Sequence, residues 1–165
     1  MSIKSILQTM FLDKEAKKQV NFLKKLYLFE GLSDRAMFKI MGIMYAKEYP
    51  ANEIIFSEKD IGRAVFIIKS GEVEITKSSK DTNKNIVLSK LSAGDFFGEM
   101  ALLEEEPRSA TARTTKNSEL LFMYKVRFDA LLEHYPRGAA KVVHNLAKML
   151  SKRLRHTSEI YAKND

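Results

Sequence analysis

The apolar positions along the chain change period twice. They begin at Ile3, Ile6, Leu7, Met10 and Phe11, the i, i+3, i+4, i+7 spacing of an amphipathic helix, and Phe22, Leu23, Leu26 and Tyr27 extend it. Such a stripe either docks on its own domain or receives a partner, and docking is the commoner use. Gly31 interrupts it, and Ser33 has N-cap chemistry ahead of a second short helix, Ala36–Ile43. From Met44 to Lys125 the period is two. Runs at Ile54–Phe56, Ala64–Lys69, Glu72–Thr76, Ile86–Leu88, Ala110–Ala112 and Leu120–Tyr124 predict short strands, and Ser70-Gly71 predicts a two-residue hairpin. Turn chemistry separates them at Pro50-Ala-Asn52, Asp60-Ile-Gly62, the polar Ser78–Asn85 stretch and Ala93-Gly-Asp95. Helical spacing then returns. Phe128–Leu132 predicts a short helix ending before Pro136, and Ala139, Val143, Leu146, Leu150, Leu154, Thr157 and Tyr161 form one stripe of a long C-terminal helix. Lys141, Lys148, Lys152 and Arg155 fall off that stripe.

The pattern therefore predicts an α+β fold, mainly β: an antiparallel jelly-roll-like β-roll flanked by N-terminal helices and a long C-terminal helix. The organisation read from it is a helical segment over 1–45, a roll over 46–127 and C-terminal helices over 128–165, folded as one structural domain. A chain of 165 residues buries about two thirds of the surface its unfolded form exposes, enough for one core without staples. The absence of cysteine excludes a disulfide framework, a thiolate metal site and a cysteine nucleophile. No apolar run approaches the roughly 18 residues of a membrane span. No uninterrupted apolar stretch near the N-terminus reads as a secretion leader, so the chain reads as cytoplasmic.

Charge adds one unusual feature. The formal net charge is +7, which alone points to nucleic acid or another anionic partner. It is unevenly shared: residues 1–50 carry +4, residues 51–112 carry −3 and residues 113–165 carry +6. The basicity belongs to the predicted flanking helices, leaving the predicted roll mildly acidic.

One segment carries distinctive chemistry, Phe97-Gly-Glu-Met-Ala-Leu-Leu-Glu-Glu-Glu-Pro-Arg-Ser-Ala-Thr111. A glycine stands at the mouth of a helical turn, Met100–Leu103, where unpaired backbone N–H groups receive an anion and the missing Cβ permits close approach. Arg108 adds a planar charged fork suited to phosphate. Glu99 would repel a phosphate unless it meets another part of the same ligand, and a carboxylate accepting from a ribose 2′-hydroxyl does so. The parts describe a pocket for a compact nucleotide whose phosphate and 2′-hydroxyl lie close together.

This segment resembles the phosphate-binding cassette of the cyclic-nucleotide-binding domain family, shared by catabolite activator protein-type regulators, protein kinase A regulatory subunits and cyclic-nucleotide-gated channels. Leu28-Phe-Glu-Gly-Leu-Ser33, Glu53-Ile-Ile-Phe56, Val65–Gly71 and Gly94-Asp-Phe-Phe-Gly98 resemble its other signatures, so the likeness covers roughly residues 23–158. The resemblance implies that Glu99 binds the ribose 2′-hydroxyl and Arg108 the cyclic phosphate. It implies too that the amides of Gly98 and Ala101 and the Ser109 hydroxyl complete the phosphate's shell, with Ala110 beside them. Val87, Leu88 and Met100 would neighbour the base. A residue of the C-terminal helix would cap it, either Arg153 or, with a register one turn on, Thr157 with Ser158; a shift of four keeps the same face, so periodicity cannot choose. Two positions depart from the family's usual glycines, Asn52 and Lys59. Asn52 tolerates a left-handed turn. Lys59 is expected to alter a turn remote from the cassette.

His134, His144 and His156 show no metal-ligand spacing, Glu104-Glu-Glu106 reads as a solvated loop, and no nucleophile–base pair stands out, so neither a metal nor a catalytic residue is expected. The expected function is a cyclic-nucleotide sensor, with cAMP favoured over cGMP because Ser109 replaces the threonine that favours guanine in the family. Only seven residues follow Ser158, so no DNA-binding domain is expected there and the output is assigned to a protein effector in trans. The C-terminal stripe could also build a homodimer. Two other readings stand beside this one: a constitutive interaction module with a vestigial pocket, and a nucleic-acid binder using the basic helices.

Overall fold

The computed structural model describes residues 3–79 and 85–164. Its elements run α1 (Ile3–Lys24), a 3₁₀ turn at Tyr27–Phe29, α2 (Asp34–Met41), β1 (Tyr45–Tyr49), β2 (Ile54–Phe56), β3 (Ala64–Ser70), β4 (Glu72–Ser78), β5 (Asn85–Ser92) and β6 (Phe96–Phe97). They continue through a 3₁₀ turn at Glu99–Leu102, β7 (Thr111–Thr114), β8 (Ser118–Tyr124), α3 (Lys125–His134) and α4 (Pro136–Asn164). The chain divides into two compact units, one of residues 42–131 and one joining residues 1–41 to 132–165.

The first unit holds all eight strands, in two four-stranded antiparallel sheets ordered β1-β8-β3-β6 and β2-β7-β4-β5. The architecture is the expected one, an antiparallel roll mainly of β-structure with helices. One apolar cluster draws on both sheets: Tyr49, Ala64, Phe66, Ile68, Leu120 and Phe97 from one, Val73 and Ala112 from the other. β3 is an unbroken apolar run, and Ala64 to Ile68 are all buried. β1 is a strand that the pattern does not predict: four of its five residues are exposed, and they carry no alternation.

The hairpin expected at Ser70-Gly71 is absent. β3 and β4 follow each other directly yet lie in different sheets, so Gly71 turns a corner between sheets. Its φ of +94° and the 2.1 Å that would separate a Cβ from Ser118 Oγ both demand glycine. A hairpin and a sheet crossing make the same demand on local sequence. Only the long-range pairing of β3 with β8 and of β4 with β5 and β7 distinguishes them.

In the helical unit Ser33 Oγ accepts the Ala36 N–H at 3.3 Å, and this cap starts α2 at Asp34, two residues before its expected start. Pro136 opens α4, where its missing N–H costs nothing. The buried face of α4 is Ala139, Val142, Asn145 and Leu146, rotated from the expected stripe; Val143 is half-buried, and Leu154 and Thr157 are exposed. The rotation follows from Asn145, whose amide donates to Leu28 O at 3.1 Å and to Glu30 O at 2.9 Å. A buried amide with both donors used is stable, so a polar residue sits on the inner face. The side chains of Ile3, Ile6, Leu7, Met10, Phe11, His156 and Tyr161 lie outside the described residues, as do residues 80–84 of the polar stretch.

Candidate functional site

The site grows from the end of β6. Phe66 and Ile67 of β3 pair with Phe97 and Phe96, and the chain then turns at Gly98, φ 68° and ψ 21°, into the 3₁₀ turn Glu99–Leu102. Glycine is required here twice, for the left-handed backbone and because a Cβ would stand 2.6 Å from Arg108 Nη1. The turn buries Glu99, Ala101 and Leu102 and exposes Met100. Glu99 is 6% exposed, a carboxylate in the wall of the fold rather than on its surface. The Ala101 N–H donates to Gly98 O at 3.2 Å, so this amide meets an anion only by sharing its hydrogen.

Arg108 returns to the same point from the other side. Its Nη1 donates to Gly98 O at 3.1 Å and its Nη2 to Ala64 O at 2.7 Å. The guanidinium lies over the Phe56 ring, Cζ 4.0 Å from the centroid, and reaches toward Phe66 at 5.9 Å. Its Nε is buried and has no hydrogen-bond partner. Burial lowers the pKa of this guanidinium, and the charges of Asp60 and Glu99 oppose that shift. The group is therefore a cation stacked on an aromatic face, with the charges of Asp60 and Glu99 acting on it and its Nε–H without an acceptor.

The backbone of Arg108 is also anchored. Its N–H donates to Asp60 O at 2.7 Å and its carbonyl accepts the Lys59 N–H at 2.9 Å; beside them Ile61 bridges Pro107 and the Gly62 N–H donates to Glu106 O at 3.0 Å. The Lys59 turn is thus bonded to the cassette and not remote from it. Sequence separation hid the contact, since nearly fifty residues intervene. Asn52 and Lys59, the two positions that depart from the family's glycines, are the only non-glycine residues with positive φ among those described.

Ser109 is exposed and Ala110 buried as the chain enters β7. Val87 and Leu88 lie on the edge strand β5, 49% and 54% exposed, and Met100 is 49% exposed. A bulge between Ile75 and Thr76 leaves Leu88 without a Cα partner, the kind of irregularity that re-aims a side chain. Gly98, Glu99 and Arg108 are thus brought together. Arg153 and Thr157 belong to the other unit, exposed and one turn apart on α4, where the Thr157 hydroxyl donates to the Arg153 carbonyl at 3.0 Å. Phe56, Asp60 and the Ala64 carbonyl are partners of Arg108 that the sequence does not reveal, because a ring face and two backbone acceptors, one in the turn before β3 and one at its start, leave no local motif.

A polar depression of about 610 Å³, lined by Glu48, Tyr49, Pro50, Ser70 and Asn117 to Glu119, contains none of these residues. Among the described residues no group of three or more acidic, histidine or cysteine side chains forms a metal-binding cluster. No described helix is long and apolar enough to cross a membrane.

The family model described as the cyclic nucleotide-binding domain matches residues 46–135. The chain is 34% identical to the Cyclic AMP receptor protein of Thermus thermophilus over 128 residues, which is 78% of this chain and 57% of that one. It therefore spans little more than half of that relative's length. A cyclic nucleotide-binding domain from Methylobacillus flagellatus has the same fold, with TM-score 0.79 at 23% identity, over 93% of this chain and 85% of that one. The regulatory domain of Toxoplasma gondii PKA, crystallised with cAMP, gives a TM-score of 0.65 at 26% identity, covering 71% and 44%.

Proposed function

The chain belongs to the cyclic nucleotide-binding domain family, and from that premise we propose that it binds cAMP in preference to cGMP and serves as a regulatory sensor without catalytic activity of its own. The observation that carries the reading is the buried, unpartnered Nε of Arg108, set beside the left-handed turn of Gly98. An unused N–H on a half-buried cation is costly unless an acceptor arrives, and a phosphate oxygen is the acceptor whose charge and geometry match. Glu99 then accepts from the ribose 2′-hydroxyl. Gly98, Ala101 and Ser109, with Ala110 behind them, line the phosphate, and Val87, Leu88 and Met100 cover one side of the base.

The cAMP preference rests on Ser109 and on relatives whose names and titles cite that nucleotide. The output follows from a change in α4 on binding, read by a protein partner or by a second copy; such a switch requires the ligand to bind one state more tightly than the other. Thermal shift tests the reading. At a hundred times its Kd, cAMP contributes about 2.7 kcal/mol, which for this size raises Tm by roughly 5–10 °C. No shift with millimolar cAMP or cGMP would overturn the sensor and leave a constitutive interaction module.

A further inference from the structure

Of the two non-glycine residues with positive φ, Asn52 at 67° is the ordinary case, since a short amide side chain tolerates this region; Lys59 at 74° is not. The bonds that hold Lys59 there are specific. Ser57 N–H donates to Asp60 Oδ2 at 2.7 Å and Asp60 N–H to Ser57 O at 3.2 Å, closing the turn. Lys59 N–H donates to Arg108 O at 2.9 Å and Arg108 N–H to Asp60 O at 2.7 Å, tying the turn to the residue that presents the guanidinium. Lys59, Asp60 and Ile61 are exposed, so opening this turn uncovers little apolar surface. Relaxing Lys59 means giving up the two bonds to Arg108, and the same event unmoors Arg108.

We propose that Lys59 is a positioning residue that detunes the phosphate site. Its left-handed strain populates a locally opened turn in which Arg108 is not aimed, and this holds the affinity below what the same site reaches with glycine at that position. The argument rests on the reading of Arg108 as the phosphate's partner. Apparent affinity scales with the fraction of molecules in the competent arrangement, so a strain that lowers that fraction weakens binding without touching the ligand. Glycine removes the strain but gains freedom in the opened turn, which limits the net effect.

Amide hydrogen exchange at Arg108 and Lys59 tests this, in the wild-type chain and in Lys59→Gly, Lys59→Asn and Lys59→Ala. Glycine releases the strain, asparagine releases part of it, and alanine keeps it while removing the charge. The expected result is an Arg108 amide about fivefold better protected in Lys59→Gly, intermediate in Lys59→Asn and unchanged in Lys59→Ala, with the amides of Ile67 and Leu120 as the global reference. The Kd for cAMP should follow the same order by a smaller factor, tightening by up to about twofold in Lys59→Gly, because binding follows the competent fraction, already the larger one, whereas exchange follows the opened fraction. Unchanged Arg108 exchange in Lys59→Gly overturns the proposal whatever the ligand does. Better protection without tighter binding, in a chain that binds, overturns the detuning, and weaker binding in Lys59→Ala would assign the effect to the lysine charge instead. A wild-type chain that binds no cyclic nucleotide refutes the functional reading, while the exchange measurement still decides whether Lys59 unmoors Arg108.

Discussion

The two ends of the candidate site are built differently. At the phosphate end Glu99 is 6% exposed, Gly98 is held in its left-handed turn, and Arg108 is fixed by two carbonyls, an aromatic face and two backbone bonds. At the base end Val87, Leu88 and Met100 are about half exposed on an edge strand and a one-turn helix. The first end is organised before any ligand arrives, so little of its binding free energy goes into ordering side chains. The second end offers apolar surface that only a ligand or a neighbouring segment covers. Affinity should therefore concentrate at the phosphate end, and base discrimination should be shallow.

The largest effect should come from removing the guanidinium. Arg108→Ala should weaken cAMP by two to three orders of magnitude, about 3–4 kcal/mol, while the fold survives; parallel calorimetry and circular dichroism check both halves of that statement. Next comes the carboxylate. The wild-type chain should prefer cAMP over 2′-deoxy-cAMP by roughly tenfold, as a hydrogen bond to a charged group is worth about 1.5–3 kcal/mol, and Glu99→Gln should erase most of that preference. If the preference survives in Glu99→Gln, the carboxylate is not the hydroxyl's partner. Leu88→Ala and Val87→Ala, already half exposed, should each cost only about threefold, since partial burial of an aliphatic side chain yields around 1 kcal/mol or less. A hundredfold loss at either residue would reverse the contrast between the two ends.

The smallest effect concerns acid. Glu58 and Glu72 are held below the ordinary carboxylate value of 4.5, Glu58 chiefly by the Ser78 N–H and Glu72 chiefly by the Thr115 hydroxyl. A depressed folded-state pKa stabilises above the unfolded value and is lost as pH falls through the folded one. The Tm difference between the wild-type chain and Glu72→Gln should thus be full at pH 7 and shrink below about pH 4.5. A difference that grows in acid would give this shift the wrong sign.

Much of this is legible in the amino-acid sequence. Gly98, Glu99 and Arg108 announce themselves because their chemistry lies within eleven consecutive residues, and six of the strands through alternation or, in β3, an unbroken apolar run, whereas β1 and the two-residue β6 carry neither signal. The unread parts share one cause, dependence on residues distant in sequence. Nothing near Arg108 reveals that it will stack on Phe56 or donate to the carbonyl of Ala64, 44 positions away. Ser70-Gly71 looked like a hairpin because a corner between sheets makes the same local request for glycine. Asn145 is absent from the expected stripe of α4, because what buries it, the acceptors Leu28 O and Glu30 O, lies more than a hundred positions earlier. Lys59 could be flagged as unusual, but its bond to Arg108 could not.

The most direct test of the central claim, that a pre-built phosphate end binds a cyclic nucleotide, is calorimetric titration of the unmodified chain with cAMP, cGMP and the open-chain 5′-AMP. The expected result is saturable binding of one cAMP per chain, weaker cGMP, and 5′-AMP weaker than either, because its dianionic phosphate does not lie close against the ribose. Equal affinity for 5′-AMP and cAMP, or no saturation by either cyclic nucleotide at millimolar concentration, would contradict it.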